Sequence, residues 1–148
     1  MADITKEQAR QASYAWEAFL RAYGTLDSQI ATDPIWSIIS MHEYDVLYTL
    51  AKAGCALSQS ELLGAVTLSQ PSVSRLLHRM EGRGLVKRKA SQDDARSYRV
   101  EMTQKGRALQ REVGKKHGKQ VAQALFTRLN GEEVALLQSL CTKMAADP

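Results

Sequence analysis

The chain has few of the residues from which disulfide scaffolds, metal sites and membrane spans are built. It contains two cysteines in 148 residues, Cys55 and Cys141, too few for a disulfide framework or a four-thiolate metal site. It has three prolines and no proline-rich linker. No stretch approaches the ~18 apolar residues that span a bilayer, and the first residues lack the pattern of a signal peptide. We therefore expect a cytoplasmic protein with no membrane partner, no metal and no cofactor.

Charge is distributed unevenly along the chain. The composition, 44% apolar and 24% charged, is ordinary for one globular domain. Between Arg75 and Arg107, ten basic residues accompany four acidic ones, so this part has a net charge of +6 and the remainder sums to −2. A local basic block is the footprint expected of a nucleic-acid-binding surface. The alternative is an ordinary solvated face.

The N-terminal segment carries an apolar stripe with helical spacing. Over 6–31 the steps between apolar residues alternate between three and four, which is typical of a long helix that packs against other helices. The stripe consists of Ala9, Ala12, Trp16, Phe19, Tyr23, Leu26 and Ile30. Asp33-Pro34 ends the predicted helix. Because a small domain offers no obvious partner for this stripe, we expect a second copy of the chain to cover it.

Three serines mark the predicted starts of the next helices: Ser40, Ser58 and Ser69. The first two are followed three residues later by Glu43 and Glu61, which complete capping boxes. The third begins a helix over 69–82, which has Pro71 in its first turn and ends at Gly82 and Gly84. The buried face of this helix is predicted to consist of Val73, Leu76, Leu77 and Met80.

A change of pattern after Gly84 predicts two short strands, 85–89 and 98–102, joined by a polar loop. Thr103 then begins a long helix that ends near residue 129, and Asn130 with Glu133 begins the last helix. Two short helices joined by the turn Thr67-Leu68 and followed by a basic hairpin form a helix-turn-helix with a wing. The predicted fold is mainly α with a small β-hairpin wing and long terminal helices.

The exposed side of helix 69–82 carries side chains suited to reading DNA. Gln70, Ser74 and His78 recur at i, i+4 and i+8, and none is a carboxylate. Such groups can hydrogen-bond base edges and phosphates in the major groove, and the free N–H groups at the helix start favour a phosphate. The candidate DNA contacts on this helix are Ser69, Gln70, Pro71, Ser72, Ser74, Arg75, His78 and Arg79. The alternative is a solvated helix face without a ligand.

The hairpin adds a second group of candidate DNA contacts. Arg88, Lys89 and Arg96 flank or occupy its loop, and a thin loop that carries arginine fits a narrow minor groove. Asp94 stands two residues before Arg96 and would repel phosphate as a direct contact. We expect Asp94 to bend the loop and orient Arg96, the alternative being two unrelated surface residues.

Five segments together carry a family resemblance. They are 58–63 (SQSELL), 69–77 (SQPSVSRLL), 84–88 (GLVKR), 94–97 (DARS) and 102–106 (MTQKG). In order and spacing they resemble the multiple-antibiotic-resistance regulator (MarR) family, and the Asp-x-Arg of the wing before a Thr-x-x-Gly helix start is fairly specific. Met102 stands where the family favours Leu, and His78-Arg79 where an acidic residue is common. The second departure affects operator preference in our interpretation, and neither indicates loss of binding.

The resemblance implies a homodimeric winged-helix transcription factor, in most members a repressor. It implies one domain over 1–148, with dimerisation helices in 1–35 and 104–148 and a winged helix-turn-helix lobe in 40–103. The partner would be double-stranded DNA with a roughly palindromic operator. A transcriptional activator and a non-specific architectural DNA-binding protein are the alternatives.

The resemblance also assigns the DNA-reading parts. Each subunit would place recognition helix 69–82 in a major groove and use the wing, 85–102, beside it. Arg96 would enter the minor groove, oriented by Asp94.

The regulatory signal remains open between a small molecule and cysteine oxidation. The resemblance implies a response to phenolic or other small amphipathic molecules, or to oxidation. Candidate effector-lining residues, with a purely structural core role as the alternative, are Trp16, Trp36, His42, Tyr44 and Tyr48. Cys55 is the better redox candidate, although an inert thiol is the alternative for it and for Cys141.

No catalytic constellation accompanies these features. His42 and Glu43 are adjacent on a predicted helix, where neighbouring side chains point apart. The sequence has no glycine-rich phosphate loop and no nucleophile elbow. We therefore expect a protein that is not an enzyme and has no catalytic residues.

Overall fold

A computed structural model describes residues 3–66, 68–94 and 96–146. These residues form six α-helices, one short 3-10 turn and a three-stranded antiparallel sheet. In chain order the elements are α1 (Lys6–Ala31), the 3-10 turn (Pro34–Ser37), α2 (Met41–Ala53), β1 (Leu57–Ser58), α3 (Gln59–Ala65), α4 (Gln70–Gly82), β2 (Val86–Ala90), β3 (Tyr98–Met102), α5 (Gln104–Phe126) and α6 (Gly131–Ala145). Within this part of the chain, no helix combines the length and apolar character needed to cross a lipid bilayer.

Contacts between residues divide the chain into two compact units. One unit is continuous, Pro34–Lys119, and contains the helix-turn-helix and the sheet. The other combines the described residues up to Asp33 with those from Gln120 onward. The long helix α5 therefore contributes its first part to one unit and its last turns to the other.

The core of the Pro34–Lys119 unit lies among α2, α3, α4 and the sheet. The predicted buried face of α4 is confirmed, because all four of its apolar side chains are at most 2% exposed. They pack in one cluster with residues that the other elements supply: Val46, Leu47, Leu50, Leu62, Leu85, Val86, Val100 and Val113. Burial of this one face explains why α4 is a stable helix that keeps its opposite face in solvent.

The sheet has one strand more than the hairpin that the sequence predicted. Strand β1 pairs with β3, opposing Leu57 to Val100, so the strand order is β1-β3-β2. A two-residue strand has no periodic pattern of its own, and a capping box follows it at once, which is why it was missed. The second hairpin strand, 98–102, is confirmed.

The first hairpin strand begins one residue later than predicted and runs over Val86–Ala90. Leu85 instead closes the end of α4, because its N–H donates to the carbonyl of Met80 at 2.9 Å. The carbonyl of Leu85 accepts from the N–H of Thr103 at 3.1 Å. Leu85 thus joins α4 to the start of α5, and it is 1% exposed.

Local capping explains most helix starts. The capping boxes at Ser40, Ser58 and Asn130 are confirmed, and the structure adds one at Thr5 with Gln8. Ser69 is the N-cap of α4, as predicted, but its hydroxyl donates to the Ser72 hydroxyl at 2.9 Å and makes no bond to a backbone N–H of the helix. The backbone at Ser69 is extended as at other N-caps. Thr67 of the predicted turn lies outside the described residues.

Two helices end at glycines whose backbone conformation is left-handed. Gly54 after α2 and Gly84 after α4 have φ of 67° and 69°, a left-handed conformation that favours glycine. Helix α5 ends at Phe126, three residues before the predicted end, and the Thr127 hydroxyl donates to the carbonyl of Gln123 at 2.9 Å.

The terminal unit exposes most of its apolar side chains in the single chain. Helix α1 has no buried residue, and Trp16 and Tyr23 are 62% and 60% exposed. The rings of Trp16 and Phe19 stack with centroids 5.9 Å apart. Helix α6 likewise has no buried residue and exposes Leu137, Leu140 and Met144. These two helices present apolar surface that the chain does not cover by itself within its described residues.

Candidate nucleic-acid interface

Helix α4 presents a polar and basic face opposite its buried one. Its N-terminal turn exposes Ser69, Gln70 and Pro71, while Ser72 and Ser74 are half-buried. One turn further, Arg75, His78 and Arg79 are exposed. A shallow groove of about 500 Å³ is lined by Ser74, Arg75, His78, Arg79 and Arg88. The structure therefore brings together candidate residues from the helix and from the wing.

The start of α4 also lies beside the base of the wing. Gln70 lines a second groove, of about 280 Å³, with Ser97 and Tyr98 of the hairpin and four residues of α3 and its cap. No charged side chain lines this groove, whose polar groups are hydroxyls and amides and whose apolar lining includes Leu63. Hydrogen-bonding groups of the recognition helix and the wing therefore lie close to one another.

Eight of the ten basic residues of segment 75–107 fall into two groups, which differ in whether they pair with a carboxylate. Five of them form ion pairs with carboxylates: Arg83, Lys87, Arg88, Lys89 and Arg99. By contrast, Arg75, Arg79 and Arg96 have no carboxylate within 4 Å among the residues that the structure describes. These three guanidinium groups are the free positive charges on α4 and the wing loop.

Arg88 and Lys89 lie on strand β2 and not at the tip of the hairpin. The guanidinium of Arg88 donates to the Glu81 carboxylate from Nη2 at 2.8 Å and from Nε at 3.1 Å. Lys89 and Lys87 both contact the Glu101 carboxylate, at 3.0 and 2.8 Å. Both Arg88 and Lys89 are predicted DNA contacts, and in this structure each has an acidic partner.

These pairs shift the acid–base properties of the carboxylates. Hydrogen bonds from Arg88 hold the pKa of Glu81 below its usual value, and those from Lys87 and Lys89 do the same for Glu101. The Glu81 carboxylate in turn raises the pKa of Arg88. Glu81 was missed in the sequence because its partner stands seven residues away, beyond a turn. The sequence feature that could have indicated this ion pair is an acidic residue at the end of α4 followed by an arginine in the next strand.

The wing loop is turned by Asp94. The Asp94 carboxylate accepts the backbone N–H of Arg96 at 2.9 Å, and the Asp94 carbonyl accepts the N–H of Ser97 at 3.1 Å. This is the side-chain turn that aspartate commonly forms in loops. The carboxylate thus holds the backbone of Arg96 and leaves its exposed guanidinium to solvent. Ala95 lies outside the described residues.

A second ion pair, also missed in the sequence, anchors α4 to α2. Glu43 is 5% exposed, the one charged residue among the described residues that is buried. Its carboxylate accepts Nη1 of Arg83 at 2.9 and 3.0 Å and also caps α2 through the N–H of Ser40. Nη2 of Arg83 donates to the carbonyl of Ile38 at 2.8 Å. Because buried charges need such partners, the pair fixes where α4 ends relative to α2.

The candidate effector residues are divided between the two units. Trp16 lies in the terminal unit, whereas Trp36, Tyr44 and Tyr48 lie in the Pro34–Lys119 unit, where His42 is exposed. The ring of Tyr44 lies 5.9 Å from that of Trp36 and 6.1 Å from that of Tyr48.

His117, which was not predicted to belong to this group, completes the aromatic cluster. Its ring lies 5.2 Å from the rings of both Trp36 and Tyr44. Burial raises the pKa of Tyr44, which is 6% exposed. Desolvation also raises the pKa of Asp45, opposed by His42 and His117. Tyr44 is therefore a core residue, and Tyr48 is the exposed edge of the cluster.

Neither cysteine is paired in the described structure. Cys55 is exposed and Cys141 is half-buried. In the three described segments, no group of three or more His, Cys, Asp or Glu side chains is placed to hold a metal ion.

Comparison with known proteins identifies the family of this lobe. The model of the MarR family matches residues 39–98, from the end of the 3-10 segment to the second wing strand. In this lobe the chain is similar to the MarR family. Members of this family are transcriptional regulators and not enzymes. The HTH-type transcriptional regulator PecS of Dickeya dadantii is 31% identical over 81 residues, which are 53% of this chain and 49% of PecS. The matched region thus spans about half the length of PecS.

Solved MarR-family structures share the fold over nearly the whole chain. Sco3205 of Streptomyces coelicolor, in complex with DNA, superposes with a TM-score of 0.78 at 23% identity, covering 98% of this chain and 89% of Sco3205. BpsR of Bordetella bronchiseptica, whose DNA binding is regulated by 6-hydroxynicotinic acid, has a TM-score of 0.75 at 27% identity. That match covers 88% of this chain and 93% of BpsR. The predicted winged helix-turn-helix fold is confirmed.

Proposed function

We propose that this protein is a homodimeric repressor of the MarR family that binds a roughly palindromic operator in double-stranded DNA. One observation carries the proposal. The recognition helix and the wing expose unpaired guanidinium groups beside hydroxyl, amide and imidazole groups, in a chain whose other wing cations are paired. As a DNA-binding regulator, the protein would act in the cytoplasm.

We assign the unpaired arginines of α4 to the major groove of DNA and the unpaired arginine of the wing loop to the minor groove. Arg75 and Arg79, with Gln70 and His78, supply donors and acceptors for base edges and phosphates in the major groove. Arg96 extends from a loop whose backbone Asp94 holds, and it is suited to a narrow minor groove. Replacing Arg96 with Ala is expected to weaken operator binding by roughly 1–3 kcal/mol, a loss that titration of labelled operator measures.

A second copy of the chain is the partner that fits the exposed stripe of α1. Three aromatic side chains of the stripe are exposed in the single chain, and α6 of the same unit exposes apolar residues too. Two copies related by a two-fold axis would cover this surface and present two recognition helices to DNA. The half-sites would then lie about one helical turn apart.

A small amphipathic or phenolic molecule is the proposed signal. The support is the aromatic cluster of Trp36, Tyr44, Tyr48 and His117, together with the small aromatic acid that regulates DNA binding in BpsR. Such a molecule releases DNA only if it binds the DNA-free arrangement more tightly than the DNA-bound one. Oxidation of the exposed Cys55 is the competing signal.

Fluorescence anisotropy tests the proposal. Purified protein is titrated onto labelled DNA from upstream of its own gene and onto scrambled DNA of equal length, at several salt concentrations. Much tighter binding to the upstream DNA with a steep salt dependence supports a specific regulator. Equal binding to both would indicate an architectural protein. Release by salicylate would support the small-molecule signal, and release by peroxide alone would overturn it in favour of Cys55.

A further inference from the structure

One carboxylate ties the end of the recognition helix to the middle of the wing. Glu81 lies in the last turn of α4, and Arg88 lies at the centre of β2. The carboxylate accepts the backbone N–H of Arg88 at 3.0 Å through Oε2. Its other oxygen, Oε1, accepts from Nη2 and Nε of the same residue. Glu81 therefore holds both the strand backbone and the side chain that the strand carries.

The contact continues from Arg88 across the sheet. The Arg88 guanidinium carbon lies 5.0 Å from the centre of the Tyr98 ring on β3, a distance suited to a cation–π contact. The Tyr98 hydroxyl donates to the side-chain oxygen of Gln59, the first residue of α3. One chain of contacts thus joins α4, both wing strands and α3.

We propose that Glu81 and Arg88 are positioning residues that fix the wing relative to the recognition helix. In this assignment Arg88 does not contact phosphate. It acts on DNA through Arg96, at the loop of the hairpin that the pair holds. The inference rests on the proposed DNA-binding function and concerns which residues of that surface touch DNA.

The change in DNA affinity when Glu81 loses its charge distinguishes a positioning role of Arg88 from direct contact with phosphate. A carboxylate beside a DNA-binding groove repels phosphate, so its neutralisation alone should strengthen binding. If Arg88 were a phosphate contact, Glu81→Gln would also release it and strengthen binding further. If the pair positions the wing, the same change weakens binding because the wing is no longer held. The two roles therefore predict opposite effects of one substitution.

The substitution Arg88→Lys also distinguishes a positioning role of Arg88 from a phosphate contact. Lysine binds phosphate as a point charge, so a phosphate contact would survive this substitution. Lysine cannot reproduce the forked bond to Glu81 or the planar contact with Tyr98. The substitution therefore keeps the net charge of the protein and removes the positioning geometry.

Glu101→Gln is the matched control. Glu101 is also a wing carboxylate with two basic partners, Lys87 and Lys89, but among the described residues its ion pairs join β3 to β2 and none reaches α4. Its neutralisation changes the net charge by the same amount as Glu81→Gln. It should leave DNA affinity unchanged or increase it.

The test is anisotropy on the upstream DNA for the wild type and for E81Q, R88K and E101Q, with circular dichroism to verify folding. We expect E81Q and R88K each to lose about tenfold in affinity, similar to the loss of one groove contact, while E101Q does not. Adding Arg96→Ala to E81Q should cost less than about twofold more, because a displaced wing no longer places Arg96. A purely structural role would leave the Arg96 effect intact.

The outcomes separate this inference from the proposed function. Wild-type protein that does not distinguish upstream from scrambled DNA contradicts the proposed function. Specific wild-type binding with tighter binding by E81Q, or unchanged binding by R88K, overturns the positioning role alone. If E81Q does not fold, R88K and its combination with Arg96→Ala decide the question, since that variant retains the charge and the Glu81 capping of the strand backbone.

Discussion

Gly106, near the start of α5, is the position where a single methyl group should disturb the lobe most. A Cβ atom built there lies 2.1 Å from the carbonyl oxygen of Leu85 and 3.0 Å from Cγ of Met102. A normal contact between these atom types is longer by about 1 Å. Gly106→Ala therefore forces the start of α5 away from the segment that connects α4 to β2.

The cost can be worked out from the bonds that this movement strains. The Leu85 carbonyl accepts the N–H of Thr103, and the Thr103 hydroxyl donates to the carbonyl of Gly84 while accepting the N–H of Gly106. Overpacking costs about 1–3 kcal/mol and a lost hydrogen bond about 1 kcal/mol. The better helix propensity of alanine returns up to about 1 kcal/mol. We expect a net loss of about 3 kcal/mol in the free energy of unfolding.

Urea denaturation at a fixed protein concentration measures this loss, and the same helix supplies the control. A Cβ at Gly118 meets no atom within 4 Å, so Gly118→Ala should be neutral or stabilising by up to about 1 kcal/mol. Gly114, whose Cβ would lie 3.1 Å from the Tyr44 hydroxyl, should fall between them. A Gly106→Ala protein as stable as the wild type would refute the packing argument.

Two further predictions concern assembly and pH. Trp16→Asp places a charge in the exposed stripe of α1 and should impair dimerisation, and a variant that still elutes as a dimer from a sizing column would contradict the stripe argument. The pKa of Glu81 is lowered in the folded protein, so its stabilising effect is complete above the ordinary value of 4.5 and is lost as the pH falls through the folded value. The stability difference between wild type and E81Q, followed by urea denaturation, should therefore shrink between pH 7 and about pH 3, and a constant difference would count against the ion pair.

Local signals in the sequence were sufficient for most of the helices and for the wing. Capping boxes at Ser40, Ser58 and Asn130 and the left-handed glycines after α2 and α4 depend on residues within one turn of each other. The buried face of α4 follows from spacing alone. Strand β1 escaped detection because it has two residues and gains its hydrogen bonds only from β3, some forty residues later.

The ion pairs of the lobe could not be predicted from spacing. Glu43 and Arg83 are forty residues apart, and their pairing depends on how α2 and α4 pack. The contacts of His117 with Trp36 and Tyr44 could not be predicted either, because they too depend on how distant parts of the chain pack. Consequently the sequence indicated the basic block correctly but could not separate its free cations, such as Arg75 and Arg96, from those that have acidic partners.

Hydroxyl-radical footprinting on DNA from upstream of the gene tests the central claim most directly. Two recognition helices and two wings predict paired protections about 10 base pairs apart, with flanking minor-groove protection that Arg96→Ala removes. The same pattern should be absent from scrambled DNA. Uniform protection of any sequence, or a footprint that Arg96→Ala leaves intact, would contradict sequence-specific binding through helix 69–82 and the wing.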